Sequence, residues 1–194
     1  GTLLMMKLTA FGTMKENIAK QFAIFRNKHT WSMTALYMVT FGSFIGFSMA
    51  LPLSMKIIFD VIHVPDANGL MTHTQHNPNA LPVLAFAWIG PFIGAATRPL
   101  GGWISDKVGG SIVTQWVCAV MTLAAVAVGY VMMLAYQSAT PEQYFFPFLA
   151  IFMVLFAASG IGNGSTFRSI GVIFDSQQAG PVLGWTSAVA AYGA

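Results

Sequence analysis

At 194 residues, with 56% hydrophobic and only 8% charged side chains, the chain falls far below the roughly one-quarter charged content of soluble globular domains and is expected to be an integral membrane protein. Nine basic residues against six acids give a net charge of +3, but the positives cluster at Lys7, Lys15, Lys20, Arg26 and Lys28 ahead of the first long apolar run. That is a loop-orientation pattern and excludes a nucleic-acid footprint, while the single cysteine, Cys118, excludes an internal disulfide and a cysteine metal centre.

Residues 1–30 carry no secretory signal: Leu3-Leu4-Met5-Met6 is short, and the stretch from Lys7 to Lys28 is amphipathic through Phe11, Ile18, Phe22 and Phe25. It is expected to be a basic linker on the membrane surface or between helices. The first span is expected over about 31–51, with Pro52 a kink and not an end because Leu53, Met55, Ile57 and Ile58 continue the apolar pattern. Asp60 to Ala80, with three His, reads as an aqueous loop in which His73 and His76 face solvent. A second span, 81–104, and a third, 111–136, are joined by a tight turn, Ser105-Asp106-Lys107-Val108-Gly109-Gly110. After Pro141 and Glu142 a fourth covers 144–174, about 46 Å of helix if regular, so it must tilt, kink or protrude. A fifth begins at about 182. Residue 1 is Gly and the last residues lie inside an apolar segment, so a piece of a longer protein is expected: an all-α bundle of four complete transmembrane helices and the start of a fifth. By the positive-inside rule the basic linker and Lys107 mark the cytoplasmic side.

Within this apolar chain the residue that asks for an explanation is Arg98. It lies roughly 12 Å along the helix from the polar Ser105-Asp106-Lys107 end, near the midplane, where charges usually face a cavity on a substrate or ion path. All six acids, Glu16, Asp60, Asp66, Asp106, Glu142 and Asp175, lie outside or at the edges of the spans and none is placed to neutralise it. A natural counter-charge is therefore a bound anion, since the guanidinium fork matches planar oxyanions through paired hydrogen bonds. Tyr37 and Phe41 share a helix face with Phe44 and Ser48, and Phe41 is about as deep as Arg98. Asn163 also reaches the midplane, where its amide could donate to an anion or to a neighbouring helix. Glycines at 160, 162, 164 and 171 allow close helix approach or bending. All four histidines lie outside the spans, which leaves no haem ligand in them and no metal or cofactor site. Arg168 is either a second anion contact near the cytoplasmic mouth or a residue snorkelling from a helix end.

Gly101-Gly102-Trp103-Ile104-Ser105-Asp106-Lys107-Val108-Gly109-Gly110 resembles the loop motif between the second and third helices of each half of major facilitator transporters, with Gly102, Asp106, Lys107 and Gly109 at the motif positions. Thr40 to Ser48, Gly90 to Gly102 and Gly162 to Phe167 resemble the C-terminal half of the nitrate/nitrite porters of the NarK type, and Gly184 to Gly193 resembles the start of that family's second nitrate signature. The resemblance covers nearly all of the chain from Trp31. It implies a twelve-helix carrier in the bacterial inner (plasma) membrane whose missing N-terminal half supplies a second arginine. One midplane site would then bind nitrate and nitrite through Arg98, with Tyr37 and Phe41 sandwiching the planar ion and Ser187 and the signature glycines Gly162, Gly164, Gly184 and Gly193 lining or packing the site. Nitrate/nitrite exchange is the expected mode, with nitrate/proton symport or a carrier for another small anion as alternatives. A membrane anchor subunit of a respiratory enzyme, which transports nothing, is the reading from a different class.

Overall fold

The computed structural model describes residues 22–78, 80 and 82–192; most of the expected linker and signature residue Gly193 lie outside them. A 3-10 turn, Ala23–Arg26, precedes helix α1, Lys28–Ile58, whose start is capped by the Asn27 side chain accepting from the His29 backbone N–H. The antiparallel strands β1, Val61–Pro65, and β2, Met71–His76, follow. Then come a short helix α2, Val83–Ala87, and helices α3, Ile89–Val108, α4, Gly110–Tyr136, α5, Phe145–Ile173, and α6, Ser176–Ala190.

The fold is all-α apart from the hairpin. Among the described residues three helical stretches are long and apolar enough to cross a membrane: Lys28–Ile58, Gly110–Tyr136 and Pro141–Ile173, the last including the 3-10 turn Pro141–Tyr144 ahead of α5. Helix α3 has the length, about 30 Å, but carries Arg98, Asp106 and Lys107, which make it the most polar of the long helices. The expected spans are shifted in four places. Helix α1 starts at Lys28 and runs through Pro52 to Ile58, because a proline removes one helix hydrogen bond without cancelling the apolar contacts on either side. The second span is divided at Trp88 into α2 and α3. The fourth is preceded by a separate 3-10 turn. Helix α6 begins at Ser176, six residues before the expected start, where the Asp175 carbonyl accepts from the Gln178 and Ala179 N–H groups; Pro181 is carried inside the helix.

Backbone proximity governs how α3 meets α5. A Cβ at Gly101 would overlap the Ile161 carbonyl, one at Gly160 the Gly94 carbonyl, and one at Gly164 the carbonyl of Arg98 itself. Thr97 adds a bond across the seam, its hydroxyl donating to the Ala157 carbonyl at 3.2 Å. Small residues at a membrane helix contact permit this approach and the packing it yields. Helix α5 meets α4 through Ser165, which donates to the Gly110 carbonyl at 3.0 Å and lies 3.2 Å from the Thr114 hydroxyl. The turn between α3 and α4 pivots on Gly109, whose φ of 93° belongs to the left-handed region that glycine enters freely. The main apolar core lies toward the hairpin end, where Leu51, Met55, Phe145, Phe148, Leu155 and Phe156 are fully buried, and a smaller cluster of Ile24, Ile170, Phe174 and Val182 closes the other end.

The expected aqueous loop is instead a packed β-hairpin. The β-branched residues Val61, Ile62, Val64 and Thr72 favour extended pairing, and the register Val61↔His76, Ile62↔Gln75, Val64↔Thr72 sets His63 inward. His63 is 4% exposed; its Nδ1 lies 2.9 Å from the Ser138 carbonyl and its Nε2 2.8 Å from the Ile58 carbonyl, tying the hairpin to the ends of α1 and α4. His73 is not solvent-facing: its ring stacks on Tyr136 at 3.8 Å, meets His63 edge-on at 4.5 Å, and both its nitrogens are buried without a hydrogen-bond partner. His76 does face solvent, 3.3 Å from Asp60.

Two outcomes follow from this packing. Gly164→Ala, which drives a methyl group into the Arg98 backbone, is expected to cost about 1–3 kcal/mol, visible as a lowered unfolding midpoint in detergent; Gly171→Ala, where nothing lies within 4 Å, serves as the neutral comparison. Burial and then the adjacent His63 ring push the His73 pKa below its ordinary 6.5. Above 6.5 this makes no difference; as pH falls through that value the unfolded ring takes a proton that the packed ring resists, so stability is lost on the acid side. Hydrogen exchange of the 61–76 amides, corrected for intrinsic rates, should therefore be faster at about pH 5.5 than at about pH 7.5, and His73→Phe should remove most of the difference.

Candidate anion-binding site

Near its middle, helix α1 departs from regular winding: Met38–Gly42 forms a π-helical turn, with the Thr40 hydroxyl donating back to the Leu36 carbonyl at 3.2 Å. Such single π turns inside α-helices often occur at functional positions. Tyr37 stands at its entrance, Phe41 within it and Phe44 just beyond. Their three rings form a ladder along one face: Tyr37 and Phe41 are 5.1 Å apart and 6° from parallel, Phe41 and Phe44 6.3 Å apart and 10° from parallel.

Arg98 of α3 reaches this ladder. Its guanidinium carbon lies 5.5 Å from the centre of Phe41 and 5.0 Å from that of Phe44, within the range of cation–π attraction. Among the described residues the ion pairs are Asp60 with His76 and Asp106 with Arg168, so no carboxylate neutralises Arg98, and its buried Nε has no hydrogen-bond partner. On the other side of the ladder α6 approaches. The Tyr37 hydroxyl neighbours the Ser187 side chain of α6, and Thr34 and Thr186 face each other at 3.4 Å one turn below. Phe167 of α5 leans on Tyr37 at 4.8 Å.

Tyr37, Phe41, Arg98 and Ser187 are therefore brought into one cluster from three separate helices. Asn163 is wholly buried on α5, and neither its amide oxygen nor its nitrogen has a partner. Gly162 packs against Thr40 and Val117, and Gly164 against the Arg98 backbone, so both act on the site through helix spacing. Gly184 does not join the Arg98 cluster; it lines a cleft with Phe25, Gly180, Pro181 and Trp185.

In the loop motif Gly102 faces the Gly164 carbonyl, and the Lys107 ammonium sits 3.8 Å over the Trp103 ring. Asp106 pairs with Arg168, so the end of α5 is tied to the turn between α3 and α4. Both partners are about half exposed, so the pair is worth at most about 1 kcal/mol. No group of three or more metal-ligating side chains occurs among the described residues.

The ring nearest Arg98, Phe44, has only its shared helix face with Tyr37 and Phe41 to announce it in the sequence. The π turn has no sequence signal, and Phe167 and Thr186 enter the cluster only through the helix packing.

No protein-family profile matches the chain. It is 40% identical over 181 residues to the probable nitrate/nitrite antiporter NarK2 of Thermus thermophilus, covering 93% of this chain and 36% of that protein. To the nitrate/nitrite transporter NarU of Escherichia coli it is 37% identical over 160 residues, 82% of this chain and 29% of the relative. The nitrite extrusion protein of Bacillus subtilis is 29% identical over 171 residues, 88% of this chain and 36% of that protein. The chain spans about a third of the length of the curated relatives it matches. Across nearly all of its own length, then, this membrane chain belongs to the NarK/NarU family of nitrate/nitrite transporters.

Proposed function

We propose that the chain is the C-terminal half of a major facilitator carrier that moves nitrate and nitrite across a bacterial inner membrane, and that Arg98 binds the transported anion. The observation that carries this reading is a half-buried arginine, its Nε enclosed, with aromatic faces beside its guanidinium and no carboxylate partner among the described residues. A planar oxyanion meets three requirements of the cluster. It offers paired oxygens to the guanidinium fork, it is thin enough to lie against the Tyr37 and Phe41 rings, and it can accept from the hydroxyls of Tyr37 and Ser187. Asn163, with a free amide on the buried face of α5, is a further donor on this path.

In the alternating-access scheme the two halves rock about a fixed midplane site, and the missing N-terminal half contributes the second cation. Residues 1–30 are then the cytoplasmic linker between halves and residues 31–194 belong to the C-terminal bundle. Exchange of nitrate for nitrite fits this half better than proton symport. An emptied site would leave positive charge unpaired in an apolar medium, which disfavours the return of the unloaded carrier, and the acids of these spans lie at their edges, none placed beside Arg98 to bring a proton instead. The carrier needs no cofactor and performs no covalent chemistry.

Uptake of labelled nitrate into proteoliposomes holding the full-length transporter tests this. With nitrite trapped inside, wild type should accumulate nitrate without an imposed pH gradient. Arg98→Lys keeps the charge and loses the fork. At about 1.5–3 kcal/mol for a charge-assisted hydrogen bond, it should cut uptake by roughly ten- to a hundredfold at normal expression. Undiminished uptake by Arg98→Lys would remove Arg98 from the anion site, and uptake driven only by a pH gradient would replace exchange with symport.

A further inference from the structure

We infer that Phe44 is the positioning residue for Arg98: its ring face holds the guanidinium in the attitude that presents its free edge to the anion. This rests on the functional reading above and adds a residue to it. Of the two rings under Arg98, Phe44 is the nearer, at 5.0 Å against 5.5 Å for Phe41. Its plane is fixed from behind by Phe156, whose ring meets it edge-on at 5.8 Å and 87°. It is also fixed from the side, because Phe44 occupies the space that a side chain at position 94 would fill: a Cβ on Gly94 would lie 2.5 Å from Phe44 Cε2 and 3.1 Å from the Phe156 carbonyl.

Gly94 and Arg98 are four residues apart on α3, one above the other on the same face. That helix therefore provides a slot for the ring and, one turn later, the cation that lies on it. The two parts of the ladder have different work: Tyr37, beside Ser187, and Phe41 stand on the side where hydroxyls gather, while Phe44 backs onto the buried aromatic core through Phe156. With no carboxylate among the described residues to orient Arg98, and with its Nε making no hydrogen bond there, the ring quadrupoles are the directional interaction left to aim it.

A ring that only fills space and a ring that holds a cation respond differently to fluorine. Replacing Phe44 with mono-, di- and trifluorophenylalanine in the full-length transporter keeps the shape and drains the negative ring face in steps. The expected result is a stepwise rise in the KM for nitrate, of roughly tenfold across the series for a desolvated cation–π contact, with maximal rate and expression nearly constant. Phe44→Tyr should keep the wild-type KM, and Gly94→Ala, which displaces the ring, should raise it as Phe44→Leu does.

A second measurement needs no substrate. Unfolding midpoints in detergent for Phe44→Leu, Arg98→Met and the double variant should be non-additive, the second change costing less once the first is made. A KM that stays flat through the fluorinated series while wild type transports nitrate would overturn the positioning role and leave the functional reading intact. Should wild type transport no nitrate, the functional reading falls, and additive midpoints would overturn the contact between Phe44 and Arg98 as well.

Discussion

An arginine placed near the middle of α3, with no acid beside it among the described residues, is the constraint around which the rest is arranged. On insertion scales a central Arg costs about 2.5–3.5 kcal/mol, and an aromatic face returns roughly 0.5–2 kcal/mol when the cation is desolvated. Two rings therefore offset a large part of the cost without abolishing it. The stacking of Tyr37, Phe41 and Phe44 is best understood as a consequence: parallel rings present faces in series, and a guanidinium lying over two of them is stabilised without a fixed counter-charge.

The two sides of this contact are built with different stiffness. On the cation's side, α3 is locked to α5 by glycine contacts at Gly101, Gly160 and Gly164 and by the Thr97 hydroxyl, and one of those contacts falls on the Arg98 backbone itself. On the ring side, Phe41 rides on the π turn Met38–Gly42, where the winding already departs from the α-helix. A helix that contains such a turn can change register locally at little cost, whereas backbones in direct contact cannot.

Much of this was legible in the sequence, and the reasons differ by residue. Arg98 stood out because charge in an apolar run is expensive, and Tyr37 and Phe41 because helical spacing alone puts them on one face; neither inference needs tertiary structure. The glycines at 160, 162 and 164 announced a close contact but not its partner, which depends on how α3 registers against α5. The partner of Arg168 was not legible because Asp106 is 62 residues earlier in the chain, and only the fold brings the α5 end to the α3–α4 turn. The hairpin was hidden by composition. His, Asn and Pro suggested a solvated loop, whereas Val61, Ile62 and Val64 pair with β2, and the His63 ring lies within hydrogen-bond distance of the Ile58 carbonyl at the end of α1 and the Ser138 carbonyl just past α4.

The absence of a carboxylate partner among the described residues also bears on how such a site could release what it binds. A buried Arg–carboxylate pair is strongly held once formed, and breaking it leaves two uncompensated charges. An anion would have to displace the carboxylate before it could bind. A cation resting on aromatic faces has no such competitor. Ring faces leave the edge of the guanidinium free, where a charge-assisted hydrogen bond is worth about 1.5–3 kcal/mol. They still hold it closely enough, at 5.0 and 5.5 Å, to keep it from seeking another partner when the anion departs. On the proposed reading, exchange of one small oxyanion for another would require only that the guanidinium, held on the ring faces, trade one set of oxygens for another at its free edge, without a proton or a side-chain acid taking part.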